Sequence, residues 1–387
     1  MSVISSAKYS AVPLSVPKAK AGRLLYIDNI RTFLTILVIL HHLMIIYSGN
    51  GSWIYNENLQ DATTSTFGRW FCSVNQSFFM GLFLFISAYF VPGAYERKGP
   101  RHFLVDRLIR LGIPLVIYGW IIRPLWIYNT WSFPNSFLKW YRDEYFRVYG
   151  FIGGGPLWFI EVLLIFACFY ALYRIFNSNP VKEIPEVSFP RDRTIVLFAF
   201  FLGIVSFVVR IWCPQNTSIT ELNLQLANFP QYIALFILGL IAYPRKWLAA
   251  LPERTARRWM VVAFALSVLP LLVGSDRNQQ AIGGSEKVLS LLSAWWEAFM
   301  CVAMCFTVVH LFRRYASQQG QIAKWFSRNA YTAYLIHEPI ITSIAMAITG
   351  FALYPLLKFA LMGLVTVPLI FLFSALILKL PYTDRVL

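Results

Sequence analysis

The stretch Tyr26-Ile27-Asp28-Asn29-Ile30-Arg31, followed by ten residues ending in His41 and then His42, opens the first strongly apolar segment of the chain. Its reading decides the rest. An arginine at membrane depth costs about 2.5–3.5 kcal/mol on insertion scales, so ionisable groups there are usually kept for function. Eleven residues at about 100° each nearly complete three helical turns. This predicts Arg31 and His42 on one helix face, about 16 Å apart along the axis, with His41 about 80° round from it. Of the two adjacent histidines, His42 is the better partner for Arg31.

Working outward, the 387 residues are 58% hydrophobic and 13% charged, against about 25% charged in a soluble domain. Apolar runs of about 20 residues recur along the chain. Both features predict an all-α polytopic membrane protein, because only helices and closed barrels satisfy their backbone within lipid. Ten spans are expected, near 26–48, 72–92, 103–126, 157–177, 194–212, 229–244, 258–274, 288–312, 331–350 and 357–380. No soluble domain and no internal repeat are expected. Residues 1–24 carry Lys8, Lys18, Lys20 and Arg23 without an apolar core, and read as a basic cytoplasmic tail rather than a cleaved signal.

The net charge of +16 invites a nucleic-acid reading, but its distribution argues for topology. Numbered from a cytoplasmic N-terminus, the inner loops and both termini hold 22 of the 34 lysines and arginines. The outer side holds seven: Arg69, Lys139, Arg142, Arg147, Arg277, Lys287 and Lys358. Five lie within spans (Arg31, Arg107, Arg110, Arg123 and Arg210). That alternation predicts both termini in the cytoplasm and excludes nucleic acid as the partner. The five cysteines form no CxxC, and no HxxxH or HExxH occurs. No metal is expected, and Cys301 with Cys305 read as small packing residues.

The outer connection 127–156 is rich in aromatics (Trp131, Phe133, Trp140, Tyr141, Tyr145 and Phe146) and ends in Gly153-Gly154-Gly155-Pro156. Its rings suit the headgroup layer or the face of a sugar. Residues 174–193, with Pro180, Pro185 and Pro190, form a cytoplasmic connector, and Asn216-Thr217-Ser218 matches a glycosylation sequon.

Several polar groups sit within the spans. Arg107 and Arg110 share a helix face at i,i+3. With Arg31, at similar depth, they could hold phosphates, which arginine binds bidentately; snorkelling anchors are the plainer alternative. His42, in the outer half of its span, suits proton abstraction from a hydroxyl. Glu161 lies at comparable depth and is expected to orient an imidazole, act as a second acid–base group, or pair with Arg123 or Arg210. Glu297 shares that ambiguity. Ser87 most simply bonds its own helix. His337, before Pro339, most simply bonds across helices, while Pro339 is expected to kink its helix.

Taken in order, these residues resemble the acyltransferase-3 family of integral membrane acyltransferases. Asp28-x-x-Arg31 with His42 is similar to its D-x-x-R and R-x10-H pattern, and Phe83-Leu84-Phe85-Ile86-Ser87-Ala88-Tyr89 to its F-F-x-I-S-G-[FY] stretch. Arg107-x-x-Arg110 with Pro114, Leu157-Trp158-Phe159 and Tyr334-Leu335-Ile336-His337 resemble three further landmarks. Ala88 stands where the family usually has glycine, which alters the close helix packing expected there. Length, span number and Ile45-Ile46-Tyr47-Ser48 are similar to the branch that succinylates periplasmic glucans.

The resemblance covers residues 25–387 as a single transmembrane acyltransferase domain, with no appended SGNH hydrolase-like domain. It implies O-acyl transfer from cytoplasmic acyl-CoA, acetyl-CoA or succinyl-CoA among the candidates, to an extracytoplasmic carbohydrate hydroxyl in a prokaryotic cytoplasmic membrane. Arg31, Arg107, Arg110 and Ser87 would bind the donor. His42 would act as general base with Glu161. Trp158, Arg123 and His337 would contact substrate, Arg123 or Arg210 being placed to meet a succinyl carboxylate. The rival class is an exporter or flippase of a glycan, which also needs polar groups in its spans. Few acidic residues are placed for ion coupling, which lowers that reading.

Overall fold

The computed structural model describes residues 24–57, 61–150, 152, 155–177, 179–181, 184, 189–215, 224–273 and 287–387. The basic tail ahead of Leu24, Gly153, Gly154, Pro185, the sequon and Arg277 lie outside these residues. Among them the chain is helical, with no β-strand. Its long helices are α1 (Leu25–Ser48), α2 (Ala62–Tyr89), α3 (Val91–Thr130), α4 (Trp158–Phe176), α5 (Asp192–Trp212), α6 (Phe229–Ala242), α7 (Glu253–Val273), α8 (Lys287–Tyr315), α9 (Gln321–Ala347) and α10 (Pro355–Ile377).

Each expected span falls on one of these helices. Seven helical stretches among the described residues are long and apolar enough to cross a membrane. The other three are α6, α7 and α9. The first has 14 residues, α7 opens on Glu253, Arg254, Arg257 and Arg258, and α9 carries Lys324, Arg328, His337 and Glu338.

Helix α1 runs through the middle of the bundle, packed by α2, α8, α9 and α10. Ile27, Ile30, Leu34, Val38 and His41 repeat at three- and four-residue steps and are buried, the spacing of one helix face. The helix stops at Gly49, whose φ of 66° lets its N–H reach Ile45 O at 3.1 Å. Asp61 caps α2 by accepting from Thr64 N–H at 2.7 Å.

Helices α2 and α6 approach closely. A Cβ at Gly239 would lie 2.4 Å from Phe85 O and 2.7 Å from Ala88 Cβ. The close contact expected of a glycine at position 88 is thus supplied from the other helix. Gly239→Leu is expected to cost about 1–3 kcal/mol by overpacking. Thermal unfolding in detergent checks this, with Ala88→Gly as the mild control; an unchanged Tm for Gly239→Leu would refute it.

Helix α3 carries the arginine that matters for the site. It bends at Gly99-Pro100, where Gly99 takes φ 70°. Two π turns follow, Leu108–Gly112 and Tyr118–Ile122. Each is followed two residues later by a proline, Pro114 and Pro124, which cannot donate to the helix ladder. A π turn absorbs that missing bond and re-aims the next residues. Tyr118 and Arg123 are buried by this winding.

The aromatic connection after α3 folds on itself. Ile127, Trp140 and Tyr145 form a small core of their own, packed by Trp131, Phe133, Tyr141 and Phe146. Phe133 and Trp140 lie 4.5 Å apart. The rings expected to meet lipid headgroups or a sugar spend much of their surface on each other. Of this connection, Val148, Tyr149, Gly155 and Pro156 reach the cavity described below.

Candidate functional site

His42 hydrogen-bonds His337, Nδ1 to Nε2, at 3.0 Å. The two ring planes are nearly parallel, 7° apart. His337 is fully buried, and its Nδ1 lies 2.5 Å from Tyr334 O. That geometry fixes the tautomers. A carbonyl oxygen only accepts, so the His337 Nδ1 carries the proton and its Nε2 is bare. His42 must then donate from Nδ1, which leaves the lone pair on His42 Nε2. The Trp53 ring lies over His42 at 4.1 Å, 23° from parallel.

His42 forms part of the wall of a cavity of about 1340 Å³. Both adjacent histidines border this cavity, and they differ in their partners. His42 turns to α9, whereas His41 packs on Phe79 of α2 at 5.0 Å and leaves its Nδ1 without a partner. The cavity also includes Trp158, stacked on Tyr232 at 5.3 Å, and the carboxylates of Glu338 and Glu297.

The charged groups pair as expected for Glu297 and differently for Glu161. Arg123 meets Glu338 through two bonds, Nε to Oε2 at 3.0 Å and Nη2 to Oε1 at 3.1 Å. Tyr118 O–H donates to the same Oε2 at 2.6 Å. Arg210 meets Glu297 at 2.5 Å, and Gln215 donates to Glu297 Oε1 at 3.1 Å. Both arginines expected to meet a succinyl carboxylate already hold an internal one. Glu161 pairs with neither. It is buried, its Oε1 has no partner, and it is absent from the cavity wall. The group that orients His42 is His337, because a neighbouring imidazole on α9 reaches it directly.

The arginines read from the first motif lie toward the opposite end of the bundle. Arg31 sits 3.5 Å from Asp28, with its guanidinium over Phe90 at 5.1 Å. Ser87 is three residues before Phe90, so the two donor candidates share a corner. Arg110 lies 3.4 Å from Asp106, and Arg107 is over Phe103 with its Nε unpartnered. Tyr331 O–H ties α9 to α3 at Arg110 O, 2.5 Å. The side chains of Arg31 and Arg110 are 38% and 52% exposed. Long side chains near helix ends carry their charge outward. The cavity reaches α1 no nearer than Val38, about 10 Å of helix axis from Arg31.

Sequence reasoning passed over three residues. Glu338 was signalled by an acid next to His337 inside an apolar span. Trp53 lies in a connection and gives no local signal. Arg69 forms part of the cavity wall, bonded to Ser65 Oγ at 3.0 Å, with no carboxylate partner among the described residues. Among those residues, no three His, Cys, Asp or Glu side chains come together as a metal site.

Comparison with known proteins gives the family. The family model described as an acyltransferase domain matches residues 24–375. The chain is similar to glucans biosynthesis protein C of Salmonella gallinarum, 27% identical over 345 residues, which covers 84% of this chain and 83% of that one. It is likewise similar to the protein of that name from Escherichia coli, 27% identical over 339 residues covering 83% and 82%. The one from Salmonella typhi is 26% identical over 341 residues, covering 84% and 83%. No solved structure matches. The chain belongs to the acyltransferase-3 family and is a multi-pass membrane acyltransferase.

Proposed function

We propose that this acyltransferase moves an acyl group from cytoplasmic acyl-CoA to a hydroxyl of an extracytoplasmic carbohydrate, a glucan in the first instance. The membrane is the cytoplasmic membrane of a prokaryote, with both termini inside. The relatives' names support the acceptor class, and the alternating basic loops support the topology. The observation that carries the chemistry is the bare Nε2 of His42 at the cavity wall, its tautomer held by His337.

In the proposed reaction His42 Nε2 takes the hydroxyl proton as the oxygen attacks the thioester carbonyl. The tetrahedral intermediate collapses, the C–S bond breaks, and coenzyme A leaves as thiolate, which the proton from His42 can neutralise. The positive charge on His42 is spread to His337 through their shared hydrogen bond. Arg31, Arg107, Arg110 and Ser87 receive the donor's phosphates and adenosine end. The pantetheine arm has to pass the apolar band from Leu34 to Val38 to deliver the thioester to His42.

Acyl-CoA binding and glucan acylation by the purified protein test this reading, using a panel of acetyl-CoA, succinyl-CoA and longer donors. Saturable binding is expected, weakened in Arg31→Ala and in Arg107→Ala/Arg110→Ala. Absence of binding by folded wild type to every donor would overturn the donor assignment. Arg69 makes a further prediction about the acyl group. A terminal carboxylate on the donor would pair with it, a charge-assisted contact of about 1.5–3 kcal/mol, or roughly ten- to hundredfold. Arg69→Gln is therefore expected to depress succinyl transfer by that factor and leave acetyl transfer nearly unchanged. Equal losses with both donors would remove Arg69 from acyl selection.

A further inference from the structure

The connection between α1 and α2 is fastened unusually firmly to α9 and α10. Trp53 Nε1–H donates to Thr342 Oγ1 at 3.1 Å. Tyr55 O–H lies 2.5 Å from Thr349 Oγ1. Glu57 N–H donates to Ile46 O at 3.0 Å, and its carboxylate forms a buried ion pair with Lys358. Tyr354 O–H closes the series on Asp61 Oδ2 at 3.2 Å. The result is a strap drawn across the end of α1 that carries His42. Its one indole lies on the proposed base.

We infer that Trp53 is a positioning residue that holds the His42 imidazole parallel to that of His337. This rests on His42 being the base. One hydrogen bond to His337 fixes one point of the ring, but the imidazole torsion is broad and leaves the plane free to tilt. The indole closes one face at 4.1 Å. It is itself located by Thr342, a fully buried side chain on α9, the helix that carries His337. The base, its hydrogen-bond partner and its cover thus take their positions from the same helix. When His42 gains the proton, its positive charge sits against the π face of the indole, a favourable cation–π arrangement. That contact strengthens only as the transition state forms, so it acts on kcat rather than on substrate binding.

The strap gives this role a mechanical basis. Gly49 and Gly51 take φ of 66° and 113° at its start, conformations that glycine adopts without cost. The chain therefore turns back over the helix end at once, rather than running outward. Asn50 Nδ2 bonds Ser65 O at 2.8 Å, which ties the turn to α2 as well.

The test compares Trp53→Leu, Trp53→Phe and Thr342→Val with wild type in steady-state acyl transfer. Alongside, the rate at which diethyl pyrocarbonate modifies His42 is read by mass spectrometry. Misplacing a reacting group by about 1 Å costs roughly a hundredfold. Trp53→Leu is expected to lower kcat by ten- to hundredfold on that scale, with both KM values nearly unchanged and His42 modified several-fold faster. Trp53→Phe keeps a ring over His42 and should restore most of kcat. If Trp53→Leu does not insert, Thr342→Val carries the test, with a several-fold loss confined to kcat. A rise in acceptor KM at constant kcat would make Trp53 a substrate platform and overturn the inference. Wild-type kcat and an unchanged modification rate would overturn it equally. If His42→Ala turns over normally, the base assignment itself fails. The modification rate then judges the clamp alone, and an unchanged rate rejects it.

Discussion

His42→Ala is expected to abolish acyl transfer while insertion and acyl-CoA binding stay intact. A positioned general base contributes about 10²–10⁴ in rate, and His42 is the cavity imidazole whose tautomer a neighbouring histidine fixes. His337 is fully buried behind it. His41 also borders the cavity, but its ring packs on Phe79 and its Nδ1 has no hydrogen-bond partner. The loss should appear in kcat, because a proton taken only as the bond forms does not contribute to ground-state binding. His41→Ala should be far milder, and equal losses in the two variants would break the facial argument. His337→Ala should fall between them. It removes the acceptor that holds the His42 proton on Nδ1, so part of the population adopts the unproductive tautomer. Steady-state kcat and KM for the three variants decide the matter. Normal turnover by folded His42→Ala would end the base assignment.

The membrane fold was legible because lipid restricts the backbone so severely. Each long apolar run had to become a helix, and among the described residues seven such stretches are long and apolar enough to cross a membrane. The pairings within them were less legible. Arg31 and His42 share one helix, so 3.6-residue periodicity could relate them. Arg123 and Glu338 are 215 residues apart, and nothing local selects Glu338 over Glu161 as the partner. Depth alone favoured Glu161, yet the π turns of α3 rotate Arg123 toward α9. Trp53 was invisible for a related reason: its importance comes from a strap whose anchors lie nearly 300 residues away. The arginines at the basic end carry a further difficulty, the reach of their side chains. A helix position does not say where a long side chain carries its charge.

Glu338→Ala is expected to have the largest effect on stability. The pair it forms with Arg123 is buried, with side-chain exposures of 3% and 6%. Removing the carboxylate takes the counter-charge from the guanidinium, and also leaves Tyr118 O–H without its acceptor. Breaking a buried pair from one side costs about 3–5 kcal/mol, a large part of the roughly 5–15 kcal/mol that holds a domain together. The folded fraction and the Tm in detergent should both fall sharply. Arg123→Met alone should do comparable damage by leaving the carboxylate unpaired. The double variant Arg123→Met/Glu338→Leu should recover much of the loss, since apolar replacement of a whole buried pair is often close to neutral. That recovery separates two roles that a cavity-lining carboxylate could have. If Glu338 acts only as a strut for α3 against α9, the double variant regains stability and most of kcat together. If Glu338 also touches the acceptor, stability returns while kcat/KM for the acceptor stays low. A wild-type Tm for Glu338→Ala would contradict the pairing energetics altogether. In that event the bidentate contact would contribute little to folding, and the buried charge would have to be served by water instead.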